Sequence, residues 1–183
     1  MTVLPRAQAP GLKVDMLDGG TFDLAKARPK LFTLVIFYRG LHCGFCRRYL
    51  QDLKTRLGDF AGIGVDVVAI SCDGKERALQ SRKDWALDGV PIGYGLTLEK
   101  AAEWDLYIST GISEDQPAFF AEPGLFLIQP DGAVYAAYIQ NLPWARPRLE
   151  DILFLIDFAT KRNKPARGEV VLGVSTGKAK RLA

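Results

Sequence analysis

The stretch from residue 38 to residue 48 reads Tyr38-Arg39-Gly40-Leu41-His42-Cys43-Gly44-Phe45-Cys46-Arg47-Arg48. The nearly continuous apolar run from Leu31 to Tyr38 leads into it and predicts a central strand that is covered on both faces. Beyond it, residues 46, 50, 53 and 57 are apolar at helical spacing, which predicts an amphipathic helix that ends near Gly58. Cys43 and Cys46 therefore stand at a strand–helix junction, three positions apart.

The rest of the chain continues this alternation of strands and helices. A turn at 18–20 predicts a small N-terminal hairpin, and Thr97 is a good N-cap for a short helix. We expect no regular structure in residues 107–122, which form a long loop. The predicted elements are a hairpin over 12–24, strands at 31–38, 65–71 and 92–96, helices at 75–87, 97–104 and 148–161, and a second hairpin over 125–138. This order predicts an α/β protein with a central mixed β-sheet flanked by helices.

Composition limits the classes to which the protein can belong. The chain has 183 residues, of which 48% are apolar and 25% are charged, as in an ordinary globular domain. We predict one domain over residues 1–162 and a basic tail over 163–183. The net charge of +3 gives no electrostatic signature of nucleic-acid binding. With no membrane-spanning run and no signal pattern, we expect no membrane partner and a cytoplasmic, thiol-reducing location.

The cysteine pair is the candidate for chemistry. Three cysteines argue against a structural disulfide framework and favour a redox-active dithiol. A reactive thiolate needs positive charge nearby, which the helix N-terminus, Arg39, Arg47 and the neighbouring His42 could supply. Cys46 shares the apolar stripe and should point inward, whereas Cys43 precedes the first turn and should be exposed. The pattern therefore predicts that Cys43 attacks a disulfide or an oxidised sulfur, and that Cys46 resolves the mixed disulfide.

Other interpretations of these residues remain open. Zinc needs four ligands, and only Cys72 and His42 could complete the set, so we predict no metal and no cofactor. His42 could instead be a local packing residue, and Cys72 either a small core residue or a thiol that approaches the site. A non-catalytic interaction domain is a further alternative. Its candidate surface aromatics are Trp85, Trp104, Phe119, Phe120 and Trp144.

The last predicted helix carries more apolar residues than one face can hold. Leu149, Ile152, Leu153 and Ile156 form its core stripe. Phe154, Leu155 and Phe158 widen the stripe and predict burial on two sides. A homodimer that forms through this helix or through the long loop is therefore a hypothesis.

Several motifs resemble those of the thioredoxin-like redoxins, and most closely the peroxiredoxin-like proteins of the alkyl hydroperoxide reductase/thiol-specific antioxidant (AhpC/TSA) group. These motifs are the Phe37-Tyr38-Arg39-Gly40 lead, the C-x-x-C that opens a helix, the Asp18-Gly19-Gly20 hairpin, the Val67–Ser71 strand and the run from Glu122 to Gly132. The resemblance covers about residues 10–160. It implies a thioredoxin-like fold and an antioxidant, thiol-dependent oxidoreductase.

The resemblance also implies particular roles. Pro123 stands where thioredoxin-like proteins place a cis-proline that faces the dithiol, with Glu122 beside a bound substrate thiol. The peroxiredoxin pattern P-x-x-x-T-x-x-C falls on Arg39, Cys43 and Cys46, and the family's later arginine falls on Pro123. Cys46 is thus a resolving thiol if the protein works like thioredoxin, and the peroxidatic thiol if it works like a peroxiredoxin. The implied partners are a protein or small-molecule thiol as electron donor and, in the second case, a hydroperoxide.

Overall fold

The computed structural model describes residues 3–172 and 179–181. Its helices are α1 (Gly44–Gly62), α2 (Lys75–Asp84), α3 (Leu98–Glu103) and α4 (Leu149–Lys161). Its strands are β1 (Lys13–Met16), β2 (Thr21–Asp23), β3 (Phe32–Phe37), β4 (Val65–Ile70), β5 (Ile92–Tyr94), β6 (Ile108–Thr110), β7 (Phe119–Ala121), β8 (Gly124–Ile128), β9 (Val134–Ile139), β10 (Val170–Leu172) and β11 (Ala179–Arg181). The predicted order of hairpins, strands and helices is confirmed.

The main sheet is mixed and has seven strands in the order β2-β1-β5-β4-β3-β8-β9. β3 runs parallel to β4, and β4 runs parallel to β5, while every other pair in this sheet is antiparallel. All six residues of β3 are buried, as its continuous apolar sequence predicts. The strand that leads into the cysteine pair is therefore flanked by strands on both sides.

Alternate residues of β3 enter two separate cores. Leu34 and Ile36 pack with the apolar residues of α1 and α4 on one face of the sheet. Val35 and Phe37 pack on the other face with Trp104, which follows α3. Because strand side chains alternate, one apolar strand can supply both layers. The fold is thioredoxin-like, with helices on both faces of the sheet.

Helix α1 is longer than the sequence predicts, because it passes through Gly58 and ends at Gly62. A glycine in an exposed helical position costs about 1 kcal/mol relative to alanine. Burial of Phe60, which is fully inaccessible, offsets that cost by more. The chain turns only at Gly64, whose φ of 79° is in the left-handed region. The predicted end at Gly58 is therefore wrong.

The segment from residue 107 to residue 122 is also more regular than predicted. Strands β6 and β7 form an antiparallel hairpin in which Ser109 lies opposite Phe120. Each strand has only three residues, too few to show a period in the sequence. The long-loop prediction is thus wrong at both ends, and it holds only for the connection between the two strands.

The exposed aromatics differ from those that the sequence predicts. Trp85, Trp104 and Phe120 are core residues, whereas Phe119 and Trp144 are exposed. On α4, Phe154 is 70% exposed and stacks on Phe158, so two-sided burial within the chain is wrong. The homodimer that this pattern suggested stays a prediction.

The segment that follows α4 returns to the domain. The Tyr135 hydroxyl donates to the Lys164 carbonyl, Ala166 is buried, and Arg6 forms an ion pair with Glu169 at 3.0 Å. Residues 173–178 and 182–183 of the predicted tail lie outside the described residues. A domain boundary at residue 162 stays a prediction.

Candidate active site

The two cysteines of the motif form a disulfide at the start of α1. Cys43 is the N-cap of the helix, and its sulfur accepts a hydrogen bond from the Cys46 backbone N–H at 3.2 Å. Cys46 points into the core, as its place in the apolar stripe predicts. Cys43 is also buried, with only 3% of its surface exposed, so the predicted exposure of Cys43 is wrong, while its role as the attacking thiol stays a prediction. The loop in front of the helix is closed by a hydrogen bond from the Cys43 N–H to the Gly40 carbonyl at 3.1 Å, and Cys43 packs within the core on the α1 face of the sheet.

That loop is held by a buried carboxylate that the sequence reading missed. Asp73 lies just after β4, accepts from the Leu41 N–H at 2.7 Å and pairs with Arg77 at 3.0 Å. Gly40 lies against this carboxylate with a φ of 118°. A Cβ at residue 40 would meet Asp73 Oδ2 at 2.5 Å. The turn before the cysteines thus requires glycine for its conformation and for its lack of a side chain.

We expect Gly40→Ala to lower the free energy of unfolding by about 2–4 kcal/mol, because left-handed strain and overlap with Asp73 add together. Urea denaturation of the oxidised protein measures this loss. Gly44→Ala is the matched control, since no atom lies within 4 Å of its added Cβ and its φ is not positive. That variant should change stability by less than about 1 kcal/mol. Equal losses in the two variants would contradict the role given to Gly40.

Arg146 is the cation that contacts the disulfide. Its Nη2 donates to Cys46 Sγ at 3.2 Å, across 100 residues of chain. Its Nε and Nη1 are buried and have no hydrogen-bond partner within residues 3–172 and 179–181. Burial lowers the pKa of Arg146 to about 10, with Tyr49 and Glu122 opposing this effect and Arg39 adding to it. The guanidinium therefore keeps its charge at neutral pH, beside the sulfur.

Tyr49 fixes the segment that carries Arg146. It lies on α1 one turn after Cys46, and its hydroxyl donates to the Pro147 carbonyl at 2.9 Å. The Arg146 guanidinium lies 4.9 Å from the centre of the Tyr49 ring. A tyrosine on the cysteine-bearing helix thus binds both the backbone and the cation of a distant segment. A basic, proline-rich run at 143–148 is the only sequence signal of this arrangement.

A second group of charges lies near the disulfide on the β6–β7 hairpin. The Glu122 carboxylate is buried, accepts from the Ser109 hydroxyl at 2.7 Å and lies 3.5 Å from Arg39 Nε. Arg39 also lies over the Phe120 ring at 4.7 Å. The charge of Glu122 favours the protonated Arg146 guanidinium, and the charge of Arg39 opposes it.

His42 is a packing residue in this structure. Its ring lies 4.6 Å from the Phe120 ring, and neither nitrogen has a hydrogen-bond partner in the part of the chain that is described. Burial, followed by the charge of Arg39, lowers the pKa of His42 from its ordinary value of 6.5. His42 is therefore neutral at pH 7 and adds no positive charge to the dithiol.

This lowered pKa predicts a pH-dependent stability. The unfolded chain binds a proton at residue 42 more readily than the folded chain, so stability is lost as the pH falls below about 6.5. We expect the free energy of unfolding to decrease more between pH 7 and pH 5.5 in the native protein than in His42→Gln. Since the chain has one histidine, the difference between the two curves isolates its titration. Parallel curves would show that residue 42 does not contribute.

The remaining predicted residues take less direct positions. Arg47 is exposed and makes no contact with either sulfur among the described residues. Cys72 is unpaired and partly buried beside the second core, and burial raises the pKa of its thiol. The predicted cis-proline is wrong, because no cis peptide bond occurs in the described ranges and the Glu122–Pro123 bond is trans. A trans bond keeps the chain extended from β7 into β8, where the Pro123 carbonyl accepts from Gln140 N–H at 3.0 Å.

Comparison with known proteins agrees with this geometry. The model of the AhpC/TSA family matches residues 5–137, which include the cysteine pair and most of the main sheet. The chain belongs to the AhpC/TSA family. It is a thiol-dependent oxidoreductase with a peroxiredoxin-like, thioredoxin-like fold. A search of the curated proteins finds no match.

Solved structures similar to this AhpC/TSA protein are peroxiredoxins. The reduced 2-Cys peroxiredoxin of Plasmodium vivax is 20% identical, with a TM-score of 0.73 over 97% of this chain and 91% of that one. Peroxidoxin BcpB of Mycobacterium tuberculosis is 13% identical, with a TM-score of 0.70 over 85% and 97%. AhpC of Enterococcus faecalis is 12% identical, with a TM-score of 0.70 over 91% and 99%. At these identities the likeness establishes the fold.

Two further features bear on the class of site. Within residues 3–172 and 179–181, no group of three or more histidine, cysteine, aspartate or glutamate side chains is placed to hold a metal ion. No described helix is both long and apolar enough to cross a membrane.

Proposed function

We propose that this AhpC/TSA protein is a thiol peroxidase in which Cys46 attacks a hydroperoxide and Cys43 resolves the product. The observation that carries this proposal is the 3.2 Å hydrogen bond from Arg146 Nη2 to Cys46 Sγ. A guanidinium at this distance favours the thiolate over the thiol. Its remaining donors could stabilise negative charge on the peroxide oxygen that leaves. Arg146 would thus supply the charge of the family's arginine, whose place is taken here by Pro123.

The reaction has two chemical steps on the protein. The Cys46 thiolate attacks the terminal oxygen of ROOH, the O–O bond breaks, and RO⁻ leaves and takes up a proton to give ROH. Cys46 becomes a sulfenic acid. Cys43 then attacks the Cys46 sulfur, the S–O bond breaks, and hydroxide takes the Cys43 proton and leaves as water. The product of this proposed sequence would be a Cys43–Cys46 disulfide, the bond that links the two residues in the structure.

Burial of the sulfurs also supports a small oxidant. Cys43 is 3% exposed and Cys46 is fully buried, so the disulfide of a folded protein could reach neither sulfur without rearrangement. A hydroperoxide is much smaller than a folded protein and needs less rearrangement to reach Cys46. Reduction of the disulfide needs an external thiol, in keeping with a thiol as the electron donor.

Thiol–disulfide exchange is the second candidate, with Cys43 as the attacking thiol. The observation that favours it is the N-cap position of Cys43, whose sulfur accepts from the Cys46 N–H. The N-terminus of a helix stabilises a thiolate. In this mechanism Cys46 would resolve a mixed disulfide, and a disulfide would replace the hydroperoxide as substrate.

Stopped-flow mixing of the reduced protein with hydrogen peroxide separates the two candidates. A peroxidase should consume one equivalent of peroxide in a fast phase and form the Cys43–Cys46 disulfide. The same reduced protein is then mixed with a small aromatic disulfide, such as 4,4′-dithiodipyridine, and with native insulin, whose disulfides are intact. Slow peroxide consumption together with rapid insulin reduction would reject the peroxidase and support disulfide exchange.

A further inference from the structure

A cavity of about 540 Å³ opens between α1 and the segment that precedes α4. Two residues connect it to the redox centre. Phe45, which lies between the cysteines in sequence, lines one wall, and Arg146, which contacts Cys46, lines the other. The volume is that of a small-molecule site. A molecule bound there would lie next to the guanidinium that touches the sulfur.

The cavity has more positive than negative side chains. Its carboxylates are already paired, because Asp52 lies 2.9 Å from Arg56, and Glu150 contacts both Arg56 and Arg148. Arg48 and Arg146 also line the cavity, and neither has a carboxylate within ion-pair distance in the described part of the chain. These two guanidinium groups therefore give the cavity an uncompensated positive charge.

A separate observation concerns the hydrogen-bond donors of Arg146. Its Nε and Nη1 are buried without a hydrogen-bond acceptor among the residues described. Charged donors in this state are costly unless a ligand or water satisfies them. A carboxylate is the natural acceptor, because its two oxygens match the donors of a guanidinium.

An aromatic wall completes the cavity. The rings of Phe45 and Trp144 lie 5.5 Å apart and are 43% and 61% exposed. Arg48 lies over the Phe45 ring at 5.4 Å, which holds this cation at the cavity. The site thus offers apolar surface beside two anion-binding groups. This combination fits a compact organic molecule with a carboxylate better than it fits an inorganic ion.

We propose that this cavity binds a carboxylate-bearing low-molecular-weight thiol, which reduces the Cys43–Cys46 disulfide. The proposal rests on the proposed function, since either redox cycle needs the disulfide to be reduced. Both sulfurs are almost inaccessible, so a small thiol can reach them more easily than a cysteine on a folded partner. The carboxylate would bind at Arg48 and Arg146, and the thiol would attack Cys43, the less buried of the two residues.

The reduction balances with two molecules of the thiol. The first thiolate attacks Cys43 Sγ, and the protein S–S bond breaks. Cys46 leaves as a thiolate beside Arg146, which stabilises it. A second thiolate then attacks the bound thiol's own sulfur in the mixed disulfide, so that RSSR leaves and Cys43 is released as a thiolate. Two thiols lose two electrons in total, the protein disulfide gains them, and the two thiol protons pass to the protein thiolates.

The test uses glutathione and its diethyl ester, which share a thiol and differ in their carboxylates. Oxidised protein is mixed with each, and samples are quenched in acid and labelled with maleimide to count free thiols by mass. At equal thiolate concentration, we expect glutathione to react about tenfold faster than its ester, with a preference that decreases as salt screens the charges. Equal rates for the two thiols would overturn the proposal.

Two variants test whether the preference for glutathione over its ester arises in this cavity. Arg48→Gln should reduce it to about twofold or less, because the cavity then loses one of its two unpaired cations. Lys83→Gln removes the same charge from the exposed end of α2, outside the cavity, and should keep the full preference. A preference that survives in Arg48→Gln would overturn the assignment to this cavity.

Two further arms separate this inference from its alternatives. The first arm compares oxidation of the native protein and of Arg48→Gln by linoleic acid hydroperoxide and by its methyl ester. If Arg48→Gln slows oxidation by the acid but not by the ester, and leaves reduction of the disulfide by glutathione unchanged, the cavity binds the oxidant and the proposal is wrong. Peroxide consumption with dithiothreitol as donor tests the peroxidase function alone. Turnover with dithiothreitol but without a preference for glutathione would reject only the cavity inference. A glutathione preference without peroxide turnover would reject only the peroxidase.

Discussion

Cys46→Ser should lose peroxide consumption to the level of the uncatalysed reaction, a decrease of more than about 10³-fold, because it removes the proposed nucleophile. Cys43→Ser should retain the first fast phase and stop at the Cys46 sulfenic acid. This follows from the position of Arg146, which donates to the sulfur of Cys46. Stopped-flow fluorescence measures the first step, and trapping with dimedone followed by mass spectrometry identifies the sulfenic acid.

The two serine variants are controls for each other. Both remove one sulfur from the same disulfide, so a general effect of losing that bond appears in both. Cys72→Ser serves as a third variant, because Cys72 lies outside the disulfide and should leave the fast phase unchanged. If Cys43→Ser abolishes the reaction while Cys46→Ser keeps it, Cys43 is the attacking thiol, as the helix N-cap alone would suggest.

Arg146→Gln should lower the rate of Cys46 oxidation by about 10²–10³-fold, the usual effect of removing one donor that stabilises developing oxyanion charge. The variant should also need a higher pH to reach half of its own maximal rate. The sign follows from electrostatics, since a cation favours the thiolate and its loss favours the thiol. The pH dependence of the fast phase measures both effects. A purely structural role would lower the rate without moving the pH profile.

Arg146→Lys tests whether charge alone is enough. Lysine keeps the positive charge but cannot donate from a planar fork. We therefore expect the pH profile to return toward that of the native protein, while the maximal rate recovers only in part. Lys83→Gln, an exposed charge change on α2, should match the native protein in both respects. Thermal unfolding of each variant checks that the fold is intact. A native rate and profile in Arg146→Gln would remove this residue from the mechanism.

Under the proposed peroxidase function, Arg146 takes a role that the family's sequence pattern assigns to another position. By the resemblance stated above, the threonine position is occupied by Cys43 and the arginine position by Pro123. A guanidinium still contacts the Cys46 sulfur, but it comes from the segment before α4. Tyr49 holds that segment through the Pro147 carbonyl. A comparison of motifs alone would find no arginine for this site, although in the folded chain Arg146 contacts the Cys46 sulfur.

Several elements whose deciding interactions are local follow directly from the sequence. The apolar run of β3, the hairpins around residues 18–20 and 130–132, and the Thr97 cap each depend on a few consecutive residues. Errors arose where a distant contact outweighs a local preference. Burial of Phe60 extends α1 past Gly58, and three-residue pairing of β6 with β7 orders a segment that has no period.

The sequence alone determined that the cysteine pair lies at the start of a helix that follows a buried strand, because a C-x-x-C between an apolar run and an amphipathic stripe depends only on local sequence. Only the tertiary structure decided what surrounds them. Asp73 fixes the loop that precedes Cys43, and Arg146 contacts Cys46 across 100 residues of chain. Such contacts depend on the folding of whole elements against each other, and nothing in the spacing of the cysteines specifies which cation will arrive there. The sequence therefore specifies the dithiol, and the tertiary structure specifies the charges around it.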